Sequence, residues 1–341
     1  MTTKKDIESA LMRGADTLRD TIDAANYKDY VLPVMFVKYL SDSYTDAVEE
    51  LSKQYSGIRL ERQKKYLPFM VAEGCSFYDL YQQRFADNIG QLMNAAMRQI
   101  EADNNQQLAG VLSAVDYNSE NALGTREHKN AILRDLLEDF EPLDLRPSAI
   151  EVKEGQVPAD VIGDAYEYMI GQFASMAGKK AGSFYTPAAV SEIMARIVDV
   201  QPGERVYDPT CGSGSLLIKA AKKQNSKEVS IYGQEVNGSS VAMAKMNMYI
   251  HEIRDAKIGW GDTLANPVFL DADGNLLLFD AIVANMPFSK DKWASGFNPG
   301  GESSGKGKKE FKMEASLDKF HRFDWGVPPA SKGDWAFLLH M

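Results

Sequence analysis

A chain of 341 residues, 44% hydrophobic and 25% charged, is long enough for two globular domains with separate cores. Its formal net charge of -10 argues against a protein that grips nucleic acid unaided, since phosphate neutralisation by Lys and Arg supplies most non-specific affinity. No run of about 18 apolar residues occurs, the start Met1-Thr2-Thr3-Lys4-Lys5-Asp6 lacks an apolar signal core, and Cys75 and Cys211 offer neither a disulfide framework nor a zinc spacing. The expectation is a cytoplasmic protein with no membrane span and no metal site.

The first 157 residues read as an all-helical domain. Leu11, Ala15, Leu18 and Ile22 put one apolar stripe on a helix, and Val37, Leu40, Tyr44, Val48 and Leu51 repeat the period. After a loop around Pro68 and Gly74, Ile89, Leu92, Met93, Ala96, Met97 and Ile100 give the cleanest helical period of the chain, and Ile132, Leu133, Leu136, Leu137 and Phe140 give another. Packing explains these Met and aromatic stripes as core. Turn residues from Glu141 to Pro158 separate this part from residues 158–341. The next helix carries Val161, Ile162, Ala165, Met169, Ile170 and Phe173, and leads to Gly182-Ser183-Phe184-Tyr185-Thr186-Pro187. Thr186 before Pro187 predicts a helix start, the hydroxyl capping free amides and the proline occupying the first position.

Arg205-Val206-Tyr207-Asp208 then reads as a buried strand, Pro209-Thr210-Cys211-Gly212-Ser213-Gly214 as a turn, and Ser215-Leu216-Leu217 as the opening of a helix. Glycines 212 and 214 let the backbone approach a ligand, and the helix amino terminus faces it. No Gly-Lys-Ser/Thr end is present, which disfavours a triphosphate cradle, and the third glycine of a dinucleotide fingerprint is missing. Among nucleotide-like ligands these details favour S-adenosylmethionine, with Asp208 placed to face a cationic amine; a helix-capping turn is the plainer alternative.

From there strands alternate with helices, which predicts a parallel sheet. Strands are expected near Val229 to Gln234, Lys257 to Trp260 and Phe279 to Ala284, with a helix from about Ser239 to Glu252. Glu235 closes the second strand, where an open sheet presents an acid to a ribose diol, and Asp262 closes the third. The fourth ends in Asn285-Met286-Pro287-Phe288. A side-chain amide oxygen and a neighbouring backbone carbonyl can accept both hydrogens of an exocyclic aromatic amine, and the aromatic can stack on a base that has left its helix. Residues 289–316, rich in Gly, Ser and Lys, read as a solvated loop that can order on a phosphate backbone. The closing segment from Lys332 to Met341 reads as the start of an apolar helix with no stop signal, so the sequence is expected to be cut short.

The succession of Gly182-Ser183-Phe184-Tyr185-Thr186-Pro187, Asp208-Pro209-Thr210-Cys211-Gly212-Ser213-Gly214-Ser215, Gly233-Gln234-Glu235, Gly261-Asp262 and Asn285-Met286-Pro287-Phe288 resembles the modification subunit of type I restriction-modification systems. The likeness covers essentially the whole chain, through Tyr166-Glu167-Tyr168-Met169-Ile170 to Phe323-Asp324-Trp325-Gly326-Val327-Pro328-Pro329. It implies an α/β fold, a Rossmann-like S-adenosylmethionine-dependent methyltransferase sheet truncated after its fourth strand, preceded by the helical domain. It also implies adenine-specific methylation of double-stranded DNA within an assembly of two modification subunits and one specificity subunit, joined in some assemblies by a restriction subunit. The family pattern places Ser183, Phe184, Tyr185, Thr186, Gly212, Ser213, Gly214, Ser215 and Glu235 around the cofactor, Asp208 near its methionine end and Asp262 near its adenine. Asn285, Pro287 and Phe288 would hold the target base.

The family's usual tetrad has proline where Met286 stands, which implies a looser turn but leaves the carbonyl in place. Cytosine methylation at ring carbon 5 is disfavoured, because neither cysteine is suitably placed as a nucleophile. Transfer to RNA or to a protein glutamine, and an inactive or truncated assembly component, stand as the alternatives.

Overall fold

The computed structural model describes residues 1–178, 185–222, 228–288, 290–298 and 311–341. Ser183 and Phe184 lie outside them. The chain forms two compact units, one of Met1–Ala181 with Lys245–Arg254, the other of Gly182–Ala244 with Asp255–Met341.

The first unit is helical. Its elements are α1 (Lys4–Thr17), α2 (Tyr27–Ser52), α3 (Gly57–Lys64), α4 (Phe77–Gln82), α5 (Ile89–Asp103), α6 (Asn105–Leu108), α7 (Glu120–Leu123), α8 (Arg126–Phe140) and α9 (Pro158–Ala177). A Thr3–Asp6 capping box starts α1, which buries Ile7, Ala10, Leu11, Gly14 and Ala15. A side chain at Gly14 would come within 3.1 Å of Leu136 and 3.2 Å of Phe140, so the glycine allows close approach of α1 and α8. The stripe reaching Ile22 predicted a longer helix, but α1 stops at Thr17 and Asp20 adopts φ 68°. Aspartate tolerates that left-handed conformation better than most residues.

Helix α2 is buried continuously from Tyr30 to Ser43, on every face rather than along one stripe, as a helix inside a core must be. It carries a fully buried ion pair: Lys38 Nζ lies 2.7 Å from Asp42, whose carboxylate also accepts from Tyr78 and from the Leu145 amide. Tyr249 packs edge-on against Phe36 and Phe69, fastening Lys245–Arg254 to this unit.

The second unit holds α10 (Ala188–Val198), β1 (Arg205–Asp208), α11 (Ser215–Lys222), β2 (Ser230–Glu235), the start of α12 (Gly238–Ile250), β3 (Lys257–Trp260), β4 (Ala281–Ile282) and α13 (Gly333–His340). The strands form one sheet in the order β3-β2-β1-β4, with every pairing parallel. Tyr207 lies opposite Tyr232 on β2 and Ile282 on β4, so all three loops that leave these strands do so at the same edge. The fourth strand is shorter than its apolar run predicted, although Val283 still donates to the Tyr207 carbonyl at 2.9 Å. Beside the sheet, Leu264, Trp293, Phe323, Ala336 and Phe337 form a buried apolar cluster. Among the described residues no helix is long and apolar enough to cross a membrane.

Candidate active site

The turn after β1 is built by backbone hydrogen bonds and two glycines. Gly212 and Gly214 have φ of 52° and 76°, a region that other residues enter at a cost. Gly214 donates to the Cys211 carbonyl at 2.8 Å, and Cys211 donates to the Gln234 carbonyl at 3.0 Å, which fixes the turn to the end of β2. Helix α11 then begins at Ser215, whose hydroxyl lies 3.0 Å from that of Ser213.

Three carboxylates stand at the strand ends. Asp208 is 2% exposed and accepts the Thr210 amide at 2.8 Å. Burial, aided by nearby Glu235, pushes its carboxyl up to about 7, against the Thr210 hydrogen bond. Glu235 accepts the amides of Gly212 at 3.1 Å and Asn237 at 2.8 Å, while burial raises its pKa. Asp262 sits two residues past β3 and accepts from Leu264 at 2.9 Å and Ala265 at 3.3 Å, capping its own loop. The fully buried Gln234 side chain donates to the Gly261 and Asn266 carbonyls and accepts from Val268, so it locks the Asp262 loop against β2.

After β4, the Asn285 amide nitrogen donates to the Thr186 hydroxyl at 3.1 Å. This assignment leaves the side-chain oxygen as an acceptor with no partner among the described residues. Tyr185, Thr186, Asp208, Thr210, Gly212, Ser213, Ser215 and Asn285 line one small depression at the carboxyl edge of the sheet. Thr186 was expected to cap α10. Instead Pro187 occupies the cap position, no side chain caps the helix, and the hydroxyl serves Asn285. Met286 packs against the apolar cluster beside the sheet, which anchors the turn. Pro287 and Phe288 are exposed, Phe288 to 83%.

With that geometry in place, residues 157–341 match the N-6 DNA methylase family and residues 7–140 match the HsdM N-terminal domain. The chain belongs to the N-6 DNA methylase family.

The chain is 29% identical, over 96% of its length, to the type I restriction enzyme MjaVIII methylase subunit of Methanocaldococcus jannaschii. It is also 29% identical, over 98% of its length, to the type I restriction enzyme MpnII methylase subunit of Mycoplasma pneumoniae. It spans 53% and 64% of the lengths of those two relatives. Its fold is similar to a crystal structure of a type I restriction-modification system methyltransferase subunit from Streptococcus thermophilus, with a TM-score of 0.74, 28% identity, and coverage of 99% of this chain and 71% of that one.

The Thr186–Asn285 pairing and the locking role of Gln234 were not expected from the sequence. The first joins residues 99 positions apart, so no local spacing reveals it. The second links residues 27 to 34 positions apart and leaves no local signal either.

Proposed function

We propose that the chain is the modification subunit of a type I restriction-modification system, an adenine-specific DNA methyltransferase. In this reading residues 1–157 form the helical domain and residues 158–341 the catalytic domain. S-adenosylmethionine, when bound, supplies an electrophilic methyl group on a sulfonium.

The residues present suit that cofactor. Asp208 offers a buried carboxylate to its cationic amine, and Glu235 keeps lone pairs free for a ribose diol after accepting two amides. Gly212 and Gly214 leave the turn without side chains where a ligand would lie. Ser213, Ser215 and Tyr185 line the same depression, and Asp262 stands one strand further along the edge. Ser183 and Phe184 join this set by the family pattern alone.

Asn285 does the chemistry's positioning. With its nitrogen committed to Thr186, its oxygen accepts one hydrogen of an adenine exocyclic amine and the Met286 carbonyl accepts the other, which aims the nitrogen lone pair outward. Exposed Phe288 stacks on the extruded base. No general base is needed before transfer, because the amine attacks as a neutral group and sheds its proton to water afterwards. The observation that carries this reading is the amide of Asn285, oriented by Thr186 and lining the same depression as the glycine turn and Asp208.

An acidic chain needs help to hold a polyanion, so the reading includes a specificity subunit and a second modification subunit, with a restriction subunit joining some assemblies. Its place of work is the cytoplasm, with the chromosome. The test is transfer of tritiated methyl from S-adenosylmethionine by the chain co-purified with a specificity subunit, and then mapping of methylated adenines. Label in adenines of unmethylated DNA is expected; label confined to protein or RNA, or none despite cofactor binding, overturns the proposal.

A further inference from the structure

We propose that the turn from Phe323 to Pro329 contacts DNA beside the target base, with Trp325 stacking on a nucleobase next to the one extruded; this rests on the DNA reading proposed for the site. Trp325 is 97% exposed, against 69%, 57% and 0% for Trp260, Trp335 and Trp293. An indole held wholly in water is a poor choice for stability and a good one for stacking, since every base has a π-face.

The turn is stiff rather than loose. Phe323 is fully buried in the apolar cluster, Gly326 donates to the Phe323 carbonyl at 3.0 Å with φ 139°, and Pro328 and Pro329 restrict the backbone on the far side of the turn. A preformed turn loses little conformational freedom when it meets a ligand.

It is also fastened to the segment just past the tetrad. Lys292 donates to the Ala330 carbonyl at 2.9 Å, Gly333 to the Lys290 carbonyl at 3.2 Å, and Trp293 Nε1 to the Pro329 carbonyl at 3.0 Å. Val327 and Met286 pack against the same apolar cluster. The two exposed aromatics Phe288 and Trp325 are therefore carried by segments tied into one body.

Charge favours a polyanion as the occupant. Among the described residues from Met286 to Lys332, five Lys stand against three Asp and Glu once the buried Arg322–Asp318 pair is set aside, in a chain whose net charge is -10. The chain neighbours of Trp325, Asp324 and Gly326, are exposed and not apolar, unlike the core of a protein-docking patch, and Asp324 pairs with His321 at 3.3 Å. Extrusion of a base leaves its neighbours unstacked, and an aromatic side chain can replace the lost contact.

The experiment uses the assembled methyltransferase with Trp325→Ala, Trp325→Leu and Trp325→Phe variants. The DNA is a duplex carrying a mapped target site, with a second duplex in which 2-aminopurine replaces the target adenine. The Ala and Leu variants are expected to lose about tenfold or more in kcat/KM for DNA and most of the 2-aminopurine fluorescence rise, as loss of one stacked base predicts. Cofactor affinity should stay at the wild-type value, and Phe should restore most of the activity. Wild-type behaviour in the Ala variant overturns the inference while leaving the DNA reading intact. Equal rescue by Leu and Phe, or failure of the Ala variant to assemble, marks a protein contact and overturns it too. A wild-type complex that methylates no DNA removes both readings together.

Discussion

Asp208 has lost nearly all contact with water while keeping one amide donor, and its pH behaviour is a consequence of that. With the folded carboxyl near 7 and its ordinary value at 3.8, the folded state retains a proton that the unfolded chain has released over that interval. Stability from this group is therefore full below about pH 4, falls as pH rises to about 7, and levels off above. Asp208→Asn removes the decline. Comparing urea midpoints at pH 5 and pH 8, wild type should lose on the order of a few kcal/mol relative to the variant; parallel curves would contradict the assignment. In the proposed site the ionised form meets a cationic amine, so affinity for S-adenosylmethionine should also rise from pH 6 to pH 8. Thr186 lines the same depression. Thr186→Val removes the acceptor that orients Asn285 and should lower kcat about tenfold, the worth of one hydrogen bond of about 1.4 kcal/mol, with cofactor affinity changed far less; an unchanged kcat would show that the amide needs no such partner.

The elements of the second unit place these side chains because three parallel strands end at one edge, and the loops beyond them are held by buried polar groups. Arg322 shows the method: its side chain is 3% exposed, pairs with Asp318 at 2.8 Å, and donates to the Thr263 and Leu264 carbonyls just past Asp262. It also meets His340, whose ring reaches the Tyr207 hydroxyl on β1. Asp318→Ala leaves that guanidinium buried without its counter-charge, and denaturant unfolding should show a loss of about 3–5 kcal/mol. In the helical unit, Gly163 on α9 faces the buried His251 ring, and an added methyl would lie 2.1 Å from it. Gly163→Ala ordinarily favours a helix, yet here it should destabilise by about 1–3 kcal/mol through overpacking. A stabilised variant in thermal unfolding would contradict that packing. The helical stripes, the strand-helix alternation and the strand-end acids were all legible, because burial on one face writes a period into the sequence. The loop contacts of Arg322 and Gln234 were not legible, since these partners are backbone groups 27 to 59 positions away and any sequence supplies those. Thr186 was read locally as a cap because Thr-Pro is a local signal, and only the fold shows that Asn285 competes for the same hydroxyl.

For the whole molecule, the balance of charge and the shape of the site point the same way. A net charge of -10 with a local excess of lysine after the tetrad suits the proposed role, chemistry on DNA with other subunits supplying the grip. Membership of the N-6 DNA methylase family rests on the match of residues 157–341, and the sequence already placed Asp208, the glycine turn, Glu235 and Asn285 at strand ends of one sheet. In the proposed function the glycine turn and the asparagine tetrad serve one reaction with separate duties. Its most direct test is Asn285→Ala, with tritiated methyl transfer to DNA and calorimetric affinity for S-adenosylmethionine measured on the same assembled sample. Transfer should fall by at least about a hundredfold, as loss of a positioning group at the reacting atom implies, while affinity stays within about twofold of wild type. Loss of both together, or transfer that persists, would contradict it.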